Sequence, residues 1–256
     1  VIAPHPDDEA IGCAGVILRH RHAGDTVLVI YITDGSASRA GGLAAAEMRQ
    51  ARRGEADAAC ALLGVDGQVW LGAPENRWAI SEFQAPLRQT LLAFQPHLIY
   101  APSYIDFHPE HWKSAQLLSQ CLDEHAPPLM RIYQIQVPLT AILVNCVADI
   151  AVFAQQIEHV FATYQTQQGS LASIRRGRHY NAAYYGQGQP VEVFWEMSAT
   201  HYQRIHSKPL DRTHGRQFRG LRRFSFTDPL AYCQGRDQRQ HFLHTNAPSV
   251  TLGTGT

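Results

Sequence analysis

The chain has 256 residues, the size of one large domain. Its 22 Lys and Arg balance 22 Asp and Glu, so no net charge draws it to nucleic acid, and 45% apolar against 17% charged residues excludes disorder over most of the length. No apolar run approaches the roughly 20 residues that a bilayer requires, the longest being Val27–Ile32. Five cysteines at 13, 60, 121, 146 and 233 are odd in number and far apart, which argues against a disulfide framework and a Cys-based zinc site. A cytoplasmic protein with reduced thiols and no membrane span is expected. Val1–Ala3 already reads as strand, so residues upstream of Val1 are expected as well.

In chain order, Val1–Pro4 reads as the end of a strand. Glu9–Arg21 has apolar residues at helical spacing and stops near Gly24. Thr26–Thr33 is a buried-strand run, and Leu43–Leu63 a long helical stretch closed by Gly64. Val69–Leu71, Leu98–Tyr100 and Ile132–Val137 read as strands, with helical stretches Ser81–Phe94 and Trp112–Asp123 between them. Ile142–Ile150 is followed by a helical stretch, Phe153–Tyr164, and Val191–Trp195 reads as a late strand. Strands alternating with helices predict an α/β three-layer sandwich with a mainly parallel, Rossmann-like sheet. After Ser198 the pattern degrades. The expected division is a domain over 1–197 and a C-terminal extension over 198–256.

Chemistry concentrates in two places. Pro4-His5-Pro6-Asp7-Asp8-Glu9 lies where the first strand ends and a helix begins, at the carboxyl edge where parallel sheets carry their sites. An N-cap would need only one of the two Asp residues and leaves His5 unexplained, whereas crowded carboxylates beside an imidazole suit a divalent cation. Asp106-Phe107-His108-Pro109-Glu110-His111 follows the strand at Leu98–Tyr100, again at a strand's carboxyl end. Its two histidines, three apart, can point into one cleft.

At these residues the sequence resembles the LmbE-like or PIG-L family of zinc-dependent N-deacetylases, whose motifs A-H-P-D-D-E and H-P-D-H read here Pro4–Glu9 and His108–His111. Pro4 stands for the usual Ala, and Glu110 for the usual Asp. Thr33-Asp34-Gly35, Arg52-Arg53-Gly54-Glu55, Leu71-Gly72 and Tyr164-Gln165-Thr166-Gln167 add weaker matches, and the likeness extends over about residues 1–197. The resemblance implies that His5, Asp8 and His111 hold one Zn2+, with Asp7 as general base and His108 as donor to the oxyanion or the leaving amine. Asp106 or Glu110 would orient His108. Arg52 would contact substrate, with Arg53 as the alternative one residue on. The implied substrate is an N-acetylglucosamine-type amino sugar or glycoconjugate, attacked directly by water, and no G-x-S-x-G suggests a serine nucleophile.

Three other readings compete. Two histidines and a carboxylate also suit an iron oxygenase, though those enzymes favour all-β barrels. A nucleotide-binding Rossmann protein lacks its G-x-G-x-x-G here. A non-catalytic metal-binding protein could keep the fold, but all the expected groups are present. Residues 201–223 carry six arginines and Lys208 against Asp211 alone. They read either as a basic surface or lid over the cleft, or as a solvated extension packed on the domain or on another copy.

Overall fold

The computed structural model describes residues 1–206 apart from 39, 104, 105, 107, 123–128, 136–138, 140, 142 and the side chain of 173. Seven strands and seven α-helices are present among the described residues: β1 Ile2–Ala3, α1 Asp8–His22, β2 Leu28–Thr33, α2 Ala45–Leu63, β3 Gly67–Ala73, α3 Ile80–Phe94, β4 Leu98–Ala101, α4 Pro109–Cys121, β5 Leu129–Ile132, β6 Cys146–Asp149, α5 Ala154–Thr163, α6 Gln168–Tyr185, β7 Val191–Met197 and α7 Ala199–His206. β1, β2 and β3 pair in parallel in that order. The other sheet segment runs β4-β5-β7-β6, with β7 antiparallel to both its neighbours. The two segments meet where β1 lies beside β4.

The period-two alternation of the strands sorts their side chains onto two faces. Ala3, Val29, Tyr31, Tyr100 and Phe194 pack with α1, α2, α5 and α6. Ile2, Ile30, Ile32, Ile99, Met130, Ile132 and Trp195 pack with α3, α4 and α7. This is the three-layer α/β sandwich expected from the sequence, with a sheet that both helical layers cover.

Several boundaries differ from the sequence reading, each for a pairing or capping reason. β3 extends at both ends because β2 pairs with it from Leu28↔Gly67 to Thr33↔Ala73. β5 starts earlier, at Leu129, in register with Leu98 of β4, while 136 and 137 of the expected strand lie outside the described residues. α4 starts three residues early because Pro109 occupies its first turn and His108 caps it, the His108 ring accepting from the Glu110 N–H. This start places His111 in the first helical turn. α6 was not expected: the face that Leu171 and Ile174 begin continues through Arg178 and buried Asn181, so the apolar stripe is short.

α7 lies past Met197 and still packs into the core, with Tyr202 fully buried and its hydroxyl donating to Pro102 O at 2.7 Å. Most of the basic stretch, from 207 onward, lies outside the described residues. Cys13, Cys60, Cys121 and Cys146 are thiols outside any disulfide among the described residues, and Cys233 is outside the described residues. Among the described residues no helix is long and apolar enough to cross a membrane.

Candidate metal centre and its surroundings

The carboxyl ends of β1, β2, β3 and β4 deliver the side chains of one buried cluster. After β1 the chain turns sharply. Pro4 O accepts from both the N–H and the hydroxyl of Thr33, which fastens the turn to the end of β2. Asp7 then takes φ 154° and ψ −21°, a conformation that side-chain-bearing residues rarely adopt. It stands at the N-cap of α1 without making a side-chain cap bond. Its carboxylate goes to Arg52 of α2 instead, Nη2 to Oδ1 at 2.8 Å. The same Nη2 donates to Pro6 O at 2.7 Å. Gly35, at φ +65°, lets Arg52 through, since a Cβ there would lie 2.9 Å from Arg52 Cδ. Arg53 faces elsewhere, its guanidinium 4.8 Å from the centre of the Trp70 ring.

The structure brings His5, Asp8 and His111 together. His5 Nδ1 lies 3.1 Å from Asp8 Oδ2 and 3.2 Å from His111 Nε2, and His111 Nε2 lies 3.3 Å from Asp8 Oδ2. A tetrahedral ion with bonds of about 2.0–2.1 Å separates its ligand atoms by about 3.3 Å. The three atoms therefore have the mutual spacing of one face of such a coordination shell. His5, His108 and His111 also form a group whose nitrogens lie within 4.8 Å of one another and that could hold a metal ion. His108 is less buried than the other two, and its ring stands edge-on to His5 with centroids 4.7 Å apart. Because His108 Nδ1 accepts from Glu110 N at 3.3 Å, the neutral ring carries its proton on Nε2.

Both imidazoles of the close triangle carry a carboxylate on their remaining nitrogen. Asp106 Oδ2 accepts from His111 Nδ1 at 2.7 Å. Glu75 Oε1 lies 3.4 Å from His5 Nε2, an ion-pair contact without an aligned hydrogen bond. A carboxylate behind a histidine fixes its tautomer and raises its basicity toward a metal. Asp106 thus sits on His111, whereas the sequence reading gave it to His108. The reason is the early start of α4, which turns His111 back toward the loop after β4. Glu110, the other residue read as a partner for His108, sends its carboxylate to Trp78 Nε1 at 2.5 Å.

The electrostatics favour positive charge at the centre. Burial opposes protonation of His5, yet the hydrogen bonds and charge of Asp8 and the contact with Glu75 hold its pKa up at about 9. Burial likewise opposes protonation of His111, and Asp8 with Asp106 raises it to about 10. Asp8, despite burial, is held far below the usual carboxylate range by the two imidazoles. Burial pushes Asp7 up to about 6 against the pull of Arg52. Glu9, fully buried, is pushed by burial to about 8 while accepting a hydrogen bond from Tyr164.

Three of these groups were missed or left without a role in the sequence. Glu75 follows the third strand at the same sheet edge, and that placement was the available signal. Glu9 and Tyr164 stood inside quoted motifs but have no metal-ligand spacing to betray their pairing.

Residues 1–122 match the family described as PIG-L: GlcNAc-PI de-N-acetylase. The match ends with α4 and takes in both histidine motifs, Arg52 and Glu75. Residues 1–122 are a PIG-L (LmbE-like) family domain. Solved structures share the fold of this PIG-L domain and of the strands that follow it. One is N,N'-diacetylchitobiose deacetylase from Pyrococcus horikoshii, with a TM-score of 0.67 and 22% identity over 78% of this chain and 84% of that one. A conserved protein from Thermus thermophilus gives 0.65 and 23%, over 76% and 91%. The 4-carboxy-2-hydroxymuconate hydratase from Pseudomonas putida gives 0.64 and 17%, over 77% and 94%. At these identities the likeness is one of fold, and a hydratase within it means that the site, not the fold, must decide the chemistry.

Proposed function

We propose that this protein is a metal-dependent N-deacetylase of the LmbE-like type, acting through zinc on the N-acetyl group of an N-acetylglucosamine-type sugar or glycoconjugate. The observation that carries this reading is the triangle of His5 Nδ1, Asp8 Oδ2 and His111 Nε2, with sides of 3.1 to 3.3 Å. Two imidazoles and one carboxylate form the donor set of catalytic zinc sites, which leave a position for water or substrate. The family match over residues 1–122 supports deacetylation. The proposed catalytic unit is the expected domain over 1–197 together with α7, which packs into its core, and the rest of 198–256 is an extension that bears on substrate range or on assembly with further copies.

A zinc ion held by His5, Asp8 and His111 would polarise the amide carbonyl and acidify the attacking water. Asp7 takes the proton of that water as the new C–O bond forms. Its neighbours suit it for this: Arg52 fixes the carboxylate, and burial raises its pKa toward neutrality, where a general base works best. His108, neutral with its proton on Nε2, donates to the developing oxyanion. As the C–N bond breaks, Asp7 returns the proton to the departing amine, and acetate and a free amino sugar result. Asp106 and Glu75 hold the two rings and touch no reacting atom. An N-acyl group on a natural-product or thiol conjugate would be cleaved by the same steps.

The test is acetate release from a panel of N-acetylglucosamine conjugates by zinc-loaded protein, beside a chelated control. Release that chelation abolishes supports the proposal and ranks the aglycones. Bound zinc without release from any conjugate would favour a non-catalytic metal-binding protein.

A further inference from the structure

We propose that Glu75 is the residue that orients His5 for the metal, and that the hydrogen bond between Trp78 and Glu110 holds the loop after β3 in place so that it can. The inference rests on the metal reading above and extends it to residues outside both histidine motifs.

His5 uses Nδ1 in the triangle, so its proton must sit on Nε2. The group facing Nε2 is Glu75 Oε1, at 3.4 Å, with both side chains at most one-tenth exposed. A carboxylate at this position favours the Nε2–H tautomer and leaves the Nδ1 lone pair for the ion. His111 has the mirror arrangement, with Nε2 in the triangle and Nδ1 on Asp106.

Glu75 is itself held at several points. Its second oxygen accepts from Ala37 N at 3.0 Å, and its own N–H donates to Asp34 Oδ1 at 3.2 Å. Three residues on, Trp78 is fastened to α4: Nε1 donates to Glu110 Oε2 at 2.5 Å, and Lys113 lies over the ring with Nζ 4.1 Å from its centre while bonding Trp78 O. The loop is therefore clamped at one end to the loop after β2 and at the other to the helix that carries His111. Glu110 stands where the H-P-D-H pattern has Asp, and its extra methylene gives it the reach to Trp78. Glu75 and Trp78 are thus positioning residues.

The experiment measures zinc affinity of metal-free protein by competition with a chromophoric chelator, together with the thermal midpoint of the metal-free form. E75Q should weaken zinc by about 10–100-fold and lower the metal-free midpoint only slightly, through the lost contact with His5. W78F and E110D should each weaken zinc by a smaller factor. The E75Q/W78F double variant should lose little beyond E75Q, because both changes act on the same contact. E75Q binding zinc as tightly as the parent overturns the inference and leaves the metal reading intact. A parent protein that binds no zinc overturns both. If E75Q fails to fold, W78F and E110D decide: weaker zinc in the folded variant supports the clamp, and parental affinity refutes it.

Discussion

Arg52 Nη2 donates to Asp7 Oδ1 at 2.8 Å and to Pro6 O at 2.7 Å, so one buried guanidinium holds both the carboxylate and the strained turn that presents it. Removing it leaves Asp7 buried without its partner. Arg52→Ala should cost about 3–5 kcal/mol of stability and abolish most turnover. Arg53→Ala removes only a ring contact on Trp70 and should cost about 1 kcal/mol or less. Urea unfolding of both variants checks the contrast, and equal losses would mean that the two arginines are not distinguished as the geometry has them.

His206 predicts an acid limb to stability. Burial pushes its pKa down to about 4, while an unfolded chain keeps the usual value near 6.5. Between those values the unfolded state binds the proton and the folded state does not. The contribution of a neutral His206 is therefore complete above about pH 6.5 and is lost as the pH falls toward 4. The full loss is about 3 kcal/mol. Replacement by Gln, which does not titrate, should flatten unfolding free energy across that window, and an unchanged slope would remove His206 as its source.

The placement of α7 gives a truncation test. A chain ending at His206 keeps Tyr202 and Ile205 in the core and should bind zinc as the full chain does. A chain ending at Met197 loses both, along with the bond from Tyr202 to Pro102 O. Loss of the buried aromatic side chain alone should cost about 3–5 kcal/mol. Thermal melts of the two truncations compare these cases; equal midpoints would contradict the packing of α7.

Much of the site was legible because its parts fall at strand ends. His5, Asp7, Asp8, Asp106, His108 and His111 lie in two short motifs, and the alternation of strands and helices sends both to one sheet edge. What the sequence did not carry was pairing. Asp106 lies two residues from His108 and five from His111, and only the start of α4 decides which ring it serves. Glu75 is one carboxylate in a loop, with nothing local to tie it to His5. α6 went unseen because its buried face passes into Arg178, which serves Glu192, and Asn181. In turn Glu192 accepts from the Gly15 and Val16 N–H groups of α1, contacts between residues 177 and 176 positions apart.

In the proposed site His5, Asp8 and His111 hold the metal while Asp7 moves the proton. Zinc content and acetate release, measured on the same samples of parent, Asp7→Asn and His111→Ala protein, separate the two roles. Expected are one zinc per chain in the parent and in Asp7→Asn, acetate release lowered at least about 100-fold in Asp7→Asn, and neither tight zinc nor release in His111→Ala. Asp7→Asn releasing acetate at the parental rate, or His111→Ala retaining its full zinc, would contradict these roles.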